Sequence, residues 1–223
     1  MCWNTTVSLN TFLFSLFSVS LAYYNNVITF YSMLFFISFI SIQLVEYFTW
    51  KNLNNKKINT LLSKIGLLLV IIQPILSLQV WYSTKDRSII LLLQGLYIII
   101  MLLTVYYYPI DFSMYKESNG HLAWNWLKFP PFIYVLWVGF FIGFSLYKKE
   151  YYLFLTNFFM VAVIYYTYYK TNTWGSMWCW ISNIASVILL ISVFFGPTVL
   201  SNCLLSNNVK KIKKIKKIKK IKN

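Results

Sequence analysis

The chain has 223 residues, of which 59% are apolar, 21% aromatic and 11% charged, and its net charge is +15. Soluble domains have about 45–50% apolar and about 25% charged residues, so this composition excludes an ordinary soluble class and indicates an integral membrane protein with the lipid bilayer as its main partner. Nine of the twenty basic residues lie in the last fourteen positions, so the charge does not indicate nucleic-acid binding.

A membrane-spanning helix needs about 20 apolar residues. Seven segments qualify, and in chain order they cover about 7–24, 27–50, 61–82, 88–108, 130–147, 151–169 and 177–199. The first resembles a signal peptide with "SLA" at 20–22, but no basic residue precedes it, and we interpret it as a span. Pro109 ends the fourth span and Pro130-Pro131 open the fifth. The sequence predicts an all-α fold, a seven-transmembrane-helix bundle over 1–200 followed by a tail over 201–223.

Seven spans place the N-terminus and the connections after spans 2, 4 and 6 on one side, here called the even-loop face. The positive-inside rule gives opposite orientations with and without the tail lysines. With them, the C-terminus is cytoplasmic, which we expect, and the sequon at Asn4 on the opposite face agrees. Ile recurs every third residue in the tail, whereas a helical stripe needs a period of about 3.6. We expect a disordered tail that binds anionic lipids.

The even-loop face gathers unusual residues. Glu46 ends span 2, and the connection after span 4 carries His121, the single histidine. Six of the nine tryptophans also belong to this face: Trp50, Trp124, Trp126, Trp174, Trp178 and Trp180. One interpretation is an interfacial aromatic belt in which Glu46 reaches water. The other is a site, because acids within membrane helices usually face the bundle or a cavity. Lys64 is then the nearest basic partner.

Polar residues within the spans extend the second interpretation. Gln43 lies three residues before Glu46 and shares its helical face. Span 3 contains Gln73-Pro74, and the proline frees the carbonyl of Val70, which then needs a donor from a neighbour or from water. Asn183 and Ser186 lie on one face of span 7. Together these groups predict a pocket for a small molecule or an ion between spans 2, 3 and 7.

Catalytic patterns are weak. A zinc site needs about four ligands, and the chain offers one histidine with isolated cysteines and carboxylates. Ser176, His121 and Glu46 contain the groups of a triad without a nucleophile motif. Glycine-rich phosphate loops are absent from the sequence. We therefore expect no metal, no cofactor and no enzyme. Asp86-Arg87 matches part of a receptor motif, and the absence of lysine from 177–199 argues against a retinal-binding opsin.

Four short motifs, "QLVEYFTWKN" (43–52), "IIQPIL" (71–76), "HLAWNW" (121–126) and "GSMWCWISN" (175–183), suggest a family. They resemble an uncharacterised group of seven-span membrane proteins encoded by large (giant) DNA viruses with AT-rich genomes. The resemblance implies no activity. It implies that the residues of these motifs form one ensemble: Glu46, Gln73, Pro74, His121, Trp124, Trp126, Ser176, Trp178, Cys179 and Asn183.

The leading hypothesis is a small-molecule or ion transporter or channel whose polar pocket opens on the even-loop face. Glu46 is its charged gate or proton-coupled group, Gln73 and Asn183 coordinate the permeant, and Pro74 permits bending. The candidate ligand-binding set is Glu46, Gln43, Gln73, Pro74, His121, Trp124, Trp126, Ser176, Trp178, Cys179 and Asn183. The alternative is a non-transporting membrane protein, receptor-like or a scaffold of viral or organellar membranes, and a membrane enzyme is a third hypothesis.

Overall fold

The computed structural model describes residues 4–195, which form seven α-helices, one short hairpin and a 3₁₀ turn. The helices are α1 (Thr5–Tyr24), α2 (Phe30–Lys51), α3 (Lys56–Val80), α4 (Arg87–Tyr107), α5 (Pro131–Tyr147), α6 (Tyr151–Tyr168) and α7 (Trp178–Phe195). Strands β1 (Met114–Lys116) and β2 (Leu122–Trp124) and the 3₁₀ turn (Asn125–Leu127) lie between α4 and α5. The Lys/Ile tail and the side chains of Trp178 and Cys179 lie outside the described residues.

The helices have the character of a membrane protein. Helices α1 to α4 are each long and apolar enough to cross a bilayer, while α5 and residues Trp180–Phe195 are apolar but shorter. On α4, Leu92 and Leu102 are 70% and 65% exposed, as expected for side chains that face lipid. The predicted all-α membrane fold is thus confirmed in outline, with a helix at each of the seven predicted positions. That all seven cross the membrane stays a prediction.

Helix α3 begins five residues before the predicted span at 61. Asn55 is its N-cap, and its side-chain oxygen accepts a hydrogen bond from the amide of Ile58 at 3.2 Å. Such a cap satisfies one of the amide donors that the first turn leaves open. The prediction counted apolar residues only, so it missed a polar first turn that the cap stabilises.

The connection between α4 and α5 contains the hairpin that an all-α prediction missed. Strands β1 and β2 pair antiparallel, with Met114 opposite Trp124. Their loop contains Asn119-Gly120, and Gly120 has a φ of 81°. Glycine adopts that backbone conformation without steric cost, and Asn-Gly is a strong hairpin signal. The sequence therefore carried a sign of this turn.

Helix α2 packs against α1 and α3, α5 packs against α3 and α6, and α7 packs against α1. One hydrophobic cluster joins α2, α3 and α6 to the hairpin through Ile42, Leu67, Trp126 and Ile164. A second cluster, further along the bundle, includes Phe39, Tyr97, Trp137 and Phe141. The hairpin is therefore part of the core.

Pro74 in α3 is buried, and side chains of neighbouring helices donate hydrogen bonds to backbone carbonyls close to it. Three carbonyls near Pro74 accept side-chain hydrogen bonds: Val70 from Trp137 Nε1 (3.1 Å), Ile71 from Tyr97 Oη (2.9 Å) and Ile75 from Gln94 Nε2 (3.0 Å). These groups are here called the kink region. The expectation that the freed carbonyl of Val70 finds a neighbouring donor is confirmed, and the donor comes from α5.

Candidate functional site

Helix α2 presents a row of buried polar side chains towards the bundle. Gln43, Glu46 and Thr49 follow one another at intervals of three residues, and each is 0% exposed. Residues three apart lie on the same helical face. Thr49 donates to the carbonyl of Val45 at 2.9 Å and is within 3.9 Å of the sulfur of Met114. Because Glu46 is fully buried, the interpretation of this acid as a water-reaching member of a belt is wrong.

Gln73 on α3 is also a fully buried polar residue. Gln43, Glu46 and Gln73 are here called the polar core. Within residues 4–195, neither the oxygen nor the nitrogen of the Gln43 or the Gln73 amide has a hydrogen-bond partner. Buried polar groups are nearly always hydrogen-bonded, so two complete amides without partners are exceptional.

Gln43 and Gln73 lie on helices that pack against each other. Helices α2 and α3 are joined by a tight turn over 52–55 and pack as antiparallel neighbours. A helical side chain leans towards the N-terminus of its own helix. Gln43 therefore leans away from the even-loop face, and Gln73, deeper on α3, leans towards it. Each amide thus leans towards the level of the other along the bundle.

Residues 114–127, here called the cap, contribute two large rings on the even-loop side of the polar core. Trp124 and Trp126 stack with ring centroids 4.8 Å apart and planes 15° from parallel, and both are almost completely buried. Gly66 of α3 lies against Trp126, since a Cβ there would be 2.8 Å from Trp126 Cζ2. Gly175 lies against Trp124 in the same way, with a Cβ position 2.7 Å from Trp124 Cζ3. The two indoles are thus enclosed between two glycines.

Two asparagines attach the cap at both edges. The side chain of Asn59 on α3 accepts from the amide of Met114 (2.9 Å) and donates to its carbonyl (2.8 Å). Asn172, which follows α6 and has a φ of 54°, donates through its side chain to the Trp124 carbonyl (2.9 Å), and its own carbonyl accepts from the Trp124 amide (3.3 Å). Since Met114 and Trp124 are opposite each other in the hairpin, these bonds continue its ladder onto α3 and the 169–177 connection.

The prediction that the connections after helices 2, 4 and 6 share one face is confirmed by these contacts, and by Asn119, whose amide donates to Thr173 at 2.9 Å. The belt interpretation is wrong for three tryptophans. Trp124, Trp126 and Trp174 are at most 7% exposed, while Trp180 is 37% exposed. Three of the five tryptophans of this set whose side chains are described are therefore part of the core.

Other sequence candidates lie away from the polar core. His121 is half-buried in the hairpin with its ring edge on Tyr168 (6.1 Å), and burial lowers the pKa of its imidazole. The Ser176 hydroxyl donates to the carbonyl of Thr173 at 3.0 Å. Asn183 accepts from the hydroxyl of Ser15 on α1 at 3.4 Å. Lys64, expected as the basic partner of Glu46, is exposed and lies over the ring of Phe112.

The residues that position the cap were missed by reasoning from the sequence. Asn59 and Asn172 are ordinary polar residues in the sequence, and only the fold shows that each binds the backbone of the hairpin. Gly66 carried a weak signal. A glycine inside a helix costs about 1 kcal/mol relative to alanine, so its presence in an aliphatic helix suggests that close packing requires it. Gly175 adjoined the tryptophan-rich motif at 175–183.

The polar core does not line any of four cavities that the described residues form. Four cavities have volumes from about 170 to about 720 Å³, and none of the described candidate residues lines any of them. Within residues 4–195, no three His, Cys, Asp or Glu side chains are grouped to hold a metal ion. Comparison with protein-family models, curated proteins and solved structures finds no match to this chain. The function is therefore inferred from the site itself.

Proposed function

We propose that this membrane protein is a transporter or channel for a small ion or a small polar solute, and that the polar core is its binding site. The observation that supports this most is the pair of fully buried amides, Gln43 and Gln73, whose four polar atoms have no partner within residues 4–195. In a bilayer, each unsatisfied polar group costs several kcal/mol. A bound ion or solute would satisfy these groups.

The chemistry of the polar core suits a cation. The Glu46 carboxylate supplies charge, and the amide oxygens of Gln43 and Gln73 add neutral ligands of the type that hard cations prefer. A proton carried by the carboxylate is the simplest form of such a cargo, since intramembrane acids often serve in proton relays. Asn183 is left out of the proposed ligand set because its side chain is bonded to Ser15 on α1.

Two features provide a way for this site to open. The cap covers the even-loop side and is attached through Asn59 and Asn172, so its displacement breaks a defined set of hydrogen bonds. On the other side, Pro74 interrupts α3 one residue after Gln73. A proline inside a helix permits bending there. Bending of α3 would therefore move Gln73 relative to Gln43.

The test is flux in proteoliposomes of the full chain, loaded with a pH-sensitive dye and challenged with H⁺, Na⁺ and K⁺ gradients. We expect Glu46→Gln to abolish flux while preserving the folded, monodisperse protein, because the substitution keeps the shape and removes the charge. Gln43→Leu and Gln73→Leu should reduce flux. Gln94→Leu is the matched control, since that glutamine already donates to Ile75. Full flux in Glu46→Gln would contradict the proposal.

The second candidate is a non-transporting receptor-like or scaffold protein of viral or organellar membranes. The firmly attached cap favours it, because Trp124 and Trp126 close the even-loop side. The two indoles are packed so tightly against Gly66 and Gly175 that neither position has space for a Cβ atom. This candidate predicts no flux for any cation and a partner protein that stays bound through detergent extraction. A receptor with a cytoplasmic partner near Asp86-Arg87 also requires the cytoplasmic C-terminus that the tail lysines favour.

A further inference from the structure

A separate cavity lies between the helices, and no residue of the cap lines it. Its volume is about 170 Å³, and five helices line it. Aromatic and aliphatic residues form most of the wall, including Phe35 and Phe39 of α2 and Phe141 of α5, whose rings are 5.3 to 5.7 Å apart. The polar core does not contribute to this wall. The cavity is therefore independent of the proposed transport site.

Four polar side chains interrupt the apolar wall, and three of them are already hydrogen-bonded. Ser77 donates to the Phe141 carbonyl (2.6 Å), Ser145 to the Ile142 carbonyl (2.5 Å) and Asn157 to the Leu153 carbonyl (2.8 Å). The fourth, Ser182 of α7, is 4% exposed, and its hydroxyl has no partner within residues 4–195. A buried hydroxyl without a partner costs free energy, so its place in a cavity wall indicates a missing acceptor.

The size of the cavity limits what it can hold. An apolar cavity of about 150 Å³ accommodates a benzene molecule. At about 170 Å³, this one has room for a single ring and one small substituent. Access is from the lipid side, because α6 and α7 both line the cavity while making little contact with each other in the described residues. Molecules that partition into the bilayer can therefore reach it.

We propose that this cavity is a binding site for a ring-sized apolar molecule with one hydrogen-bonding oxygen, of which a simple phenol is the model. The ring packs against Phe39 and Phe141 in the cavity wall, where aromatic pairs gain from offset or tilted contacts. The oxygen accepts a hydrogen bond from the Ser182 hydroxyl. No bond is made or broken, and the Glu46 carboxylate takes no part.

The test uses the full chain in lipid nanodiscs and ¹⁹F NMR with two probes, 4-fluorophenol and fluorobenzene. We expect saturable binding of both, with 4-fluorophenol about five-fold tighter, the gain of one net hydrogen bond. Ser182→Ala should remove this preference and leave fluorobenzene binding unchanged. Ser192→Ala is the matched control, because Ser192 is also a buried serine of α7 with an unpartnered hydroxyl but does not line the cavity.

A third variant fills the space itself. Ala185 lines the cavity, so Ala185→Phe should abolish saturable binding of both probes. Equal affinities for the two probes in the unmodified protein would overturn the proposal and indicate a purely apolar site for an acyl chain. Loss of the phenol preference in Ser192→Ala, or the absence of saturable binding by either probe, would overturn it as well. The small Ser182→Ala change keeps the test decisive if Ala185→Phe does not fold.

Discussion

Gln94 and Gln73 are both buried glutamines on neighbouring helices, yet their amides are used differently. In the kink region, the Gln94 nitrogen donates to Ile75 and its oxygen accepts from Gln79 at 3.3 Å. In the polar core, Gln73 and Gln43 use none of their four polar atoms within residues 4–195. Both regions contain buried glutamine amides. Only in the kink region do hydrogen bonds within the described residues explain why the glutamine is there.

The kink region therefore contains polar residues that stabilise the fold, whereas the polar core contains polar residues whose burial destabilises it. Each donor in the kink region bonds a backbone carbonyl near Pro74, and removal of the Trp137 donor leaves the Val70 carbonyl, which the proline deprives of its helical donor, unpaired. The amides of the polar core satisfy nothing in the described structure, so removing them relieves a cost. A sequence that keeps Gln43 and Gln73 buried without partners in the described residues therefore points to a ligand. Four predictions test this comparison.

The largest effect is expected where the cap closes over the polar core. Gly175→Ala places a methyl group 2.7 Å from Trp124 Cζ3, and nearer still to Cε3, in a region without free space. Overpacking of this kind costs about 1–3 kcal/mol, and we expect the upper end because Trp124 is held by Trp126 and by Asn172. The measurement is the free energy of unfolding in mixed micelles titrated with SDS.

Gly66→Ala provides the same test within a helix, with its Cβ 2.8 Å from Trp126 Cζ2. Gly95→Ala is its matched control, because nothing lies within 4 Å of that position and alanine favours helix over glycine by about 1 kcal/mol. We expect Gly66→Ala to lower the free energy of unfolding and Gly95→Ala to leave it unchanged or raise it. Equal effects at both glycines would show that the cap does not pack as described.

The second effect concerns the kink region. Trp137→Phe keeps a ring stacked on Phe141 but removes the Nε1 donor to the Val70 carbonyl. An unsatisfied buried carbonyl costs about 1–3 kcal/mol, so the variant should unfold at a correspondingly lower SDS fraction. Trp180→Phe, at a 37% exposed position, is the control and should have little effect. If both variants behave alike, the Val70 carbonyl is satisfied in another way.

The pattern of apolar runs predicted the helices well, because the bilayer demands a minimum apolar length that few other structures require. It also predicted that Glu46, the 119–131 connection and the 172–183 segment share a face, since alternation of spans determines this. It did not predict that Trp124 and Trp126 turn inward. That outcome depends on Gly66, Gly175, Asn59 and Asn172, which are distant in sequence and meet the cap only in the folded chain.

The third effect reverses sign between the two regions. Gln94→Leu should destabilise the protein by about 1 kcal/mol, because it leaves the Ile75 carbonyl without its side-chain donor. Gln43→Leu should leave the free energy of unfolding unchanged or raise it, since two unpaired polar atoms are replaced by apolar ones. Thermal unfolding of both variants in the same detergent decides the matter. A loss of stability in Gln43→Leu equal to that in Gln94→Leu would end the distinction between the regions.

The smallest effect lies outside the membrane, on the face opposite the cap, where Asp86 forms an ion pair with Lys148 and accepts a hydrogen bond from Ser83. The Lys148 ammonium and then the Ser83 hydroxyl lower the pKa of the Asp86 carboxyl below its ordinary value of 3.8. Because the folded pKa is depressed, the carboxylate stabilises the fold above pH 3.8 and loses that contribution as the pH falls through the folded pKa.

Asp86→Asn should therefore lower the free energy of unfolding at pH 7 by no more than about 1 kcal/mol, as for other pairs near a surface. The difference between Asp86→Asn and the unmodified protein should shrink as the pH falls from 5 to about 3. Unfolding measured across that range checks the sign.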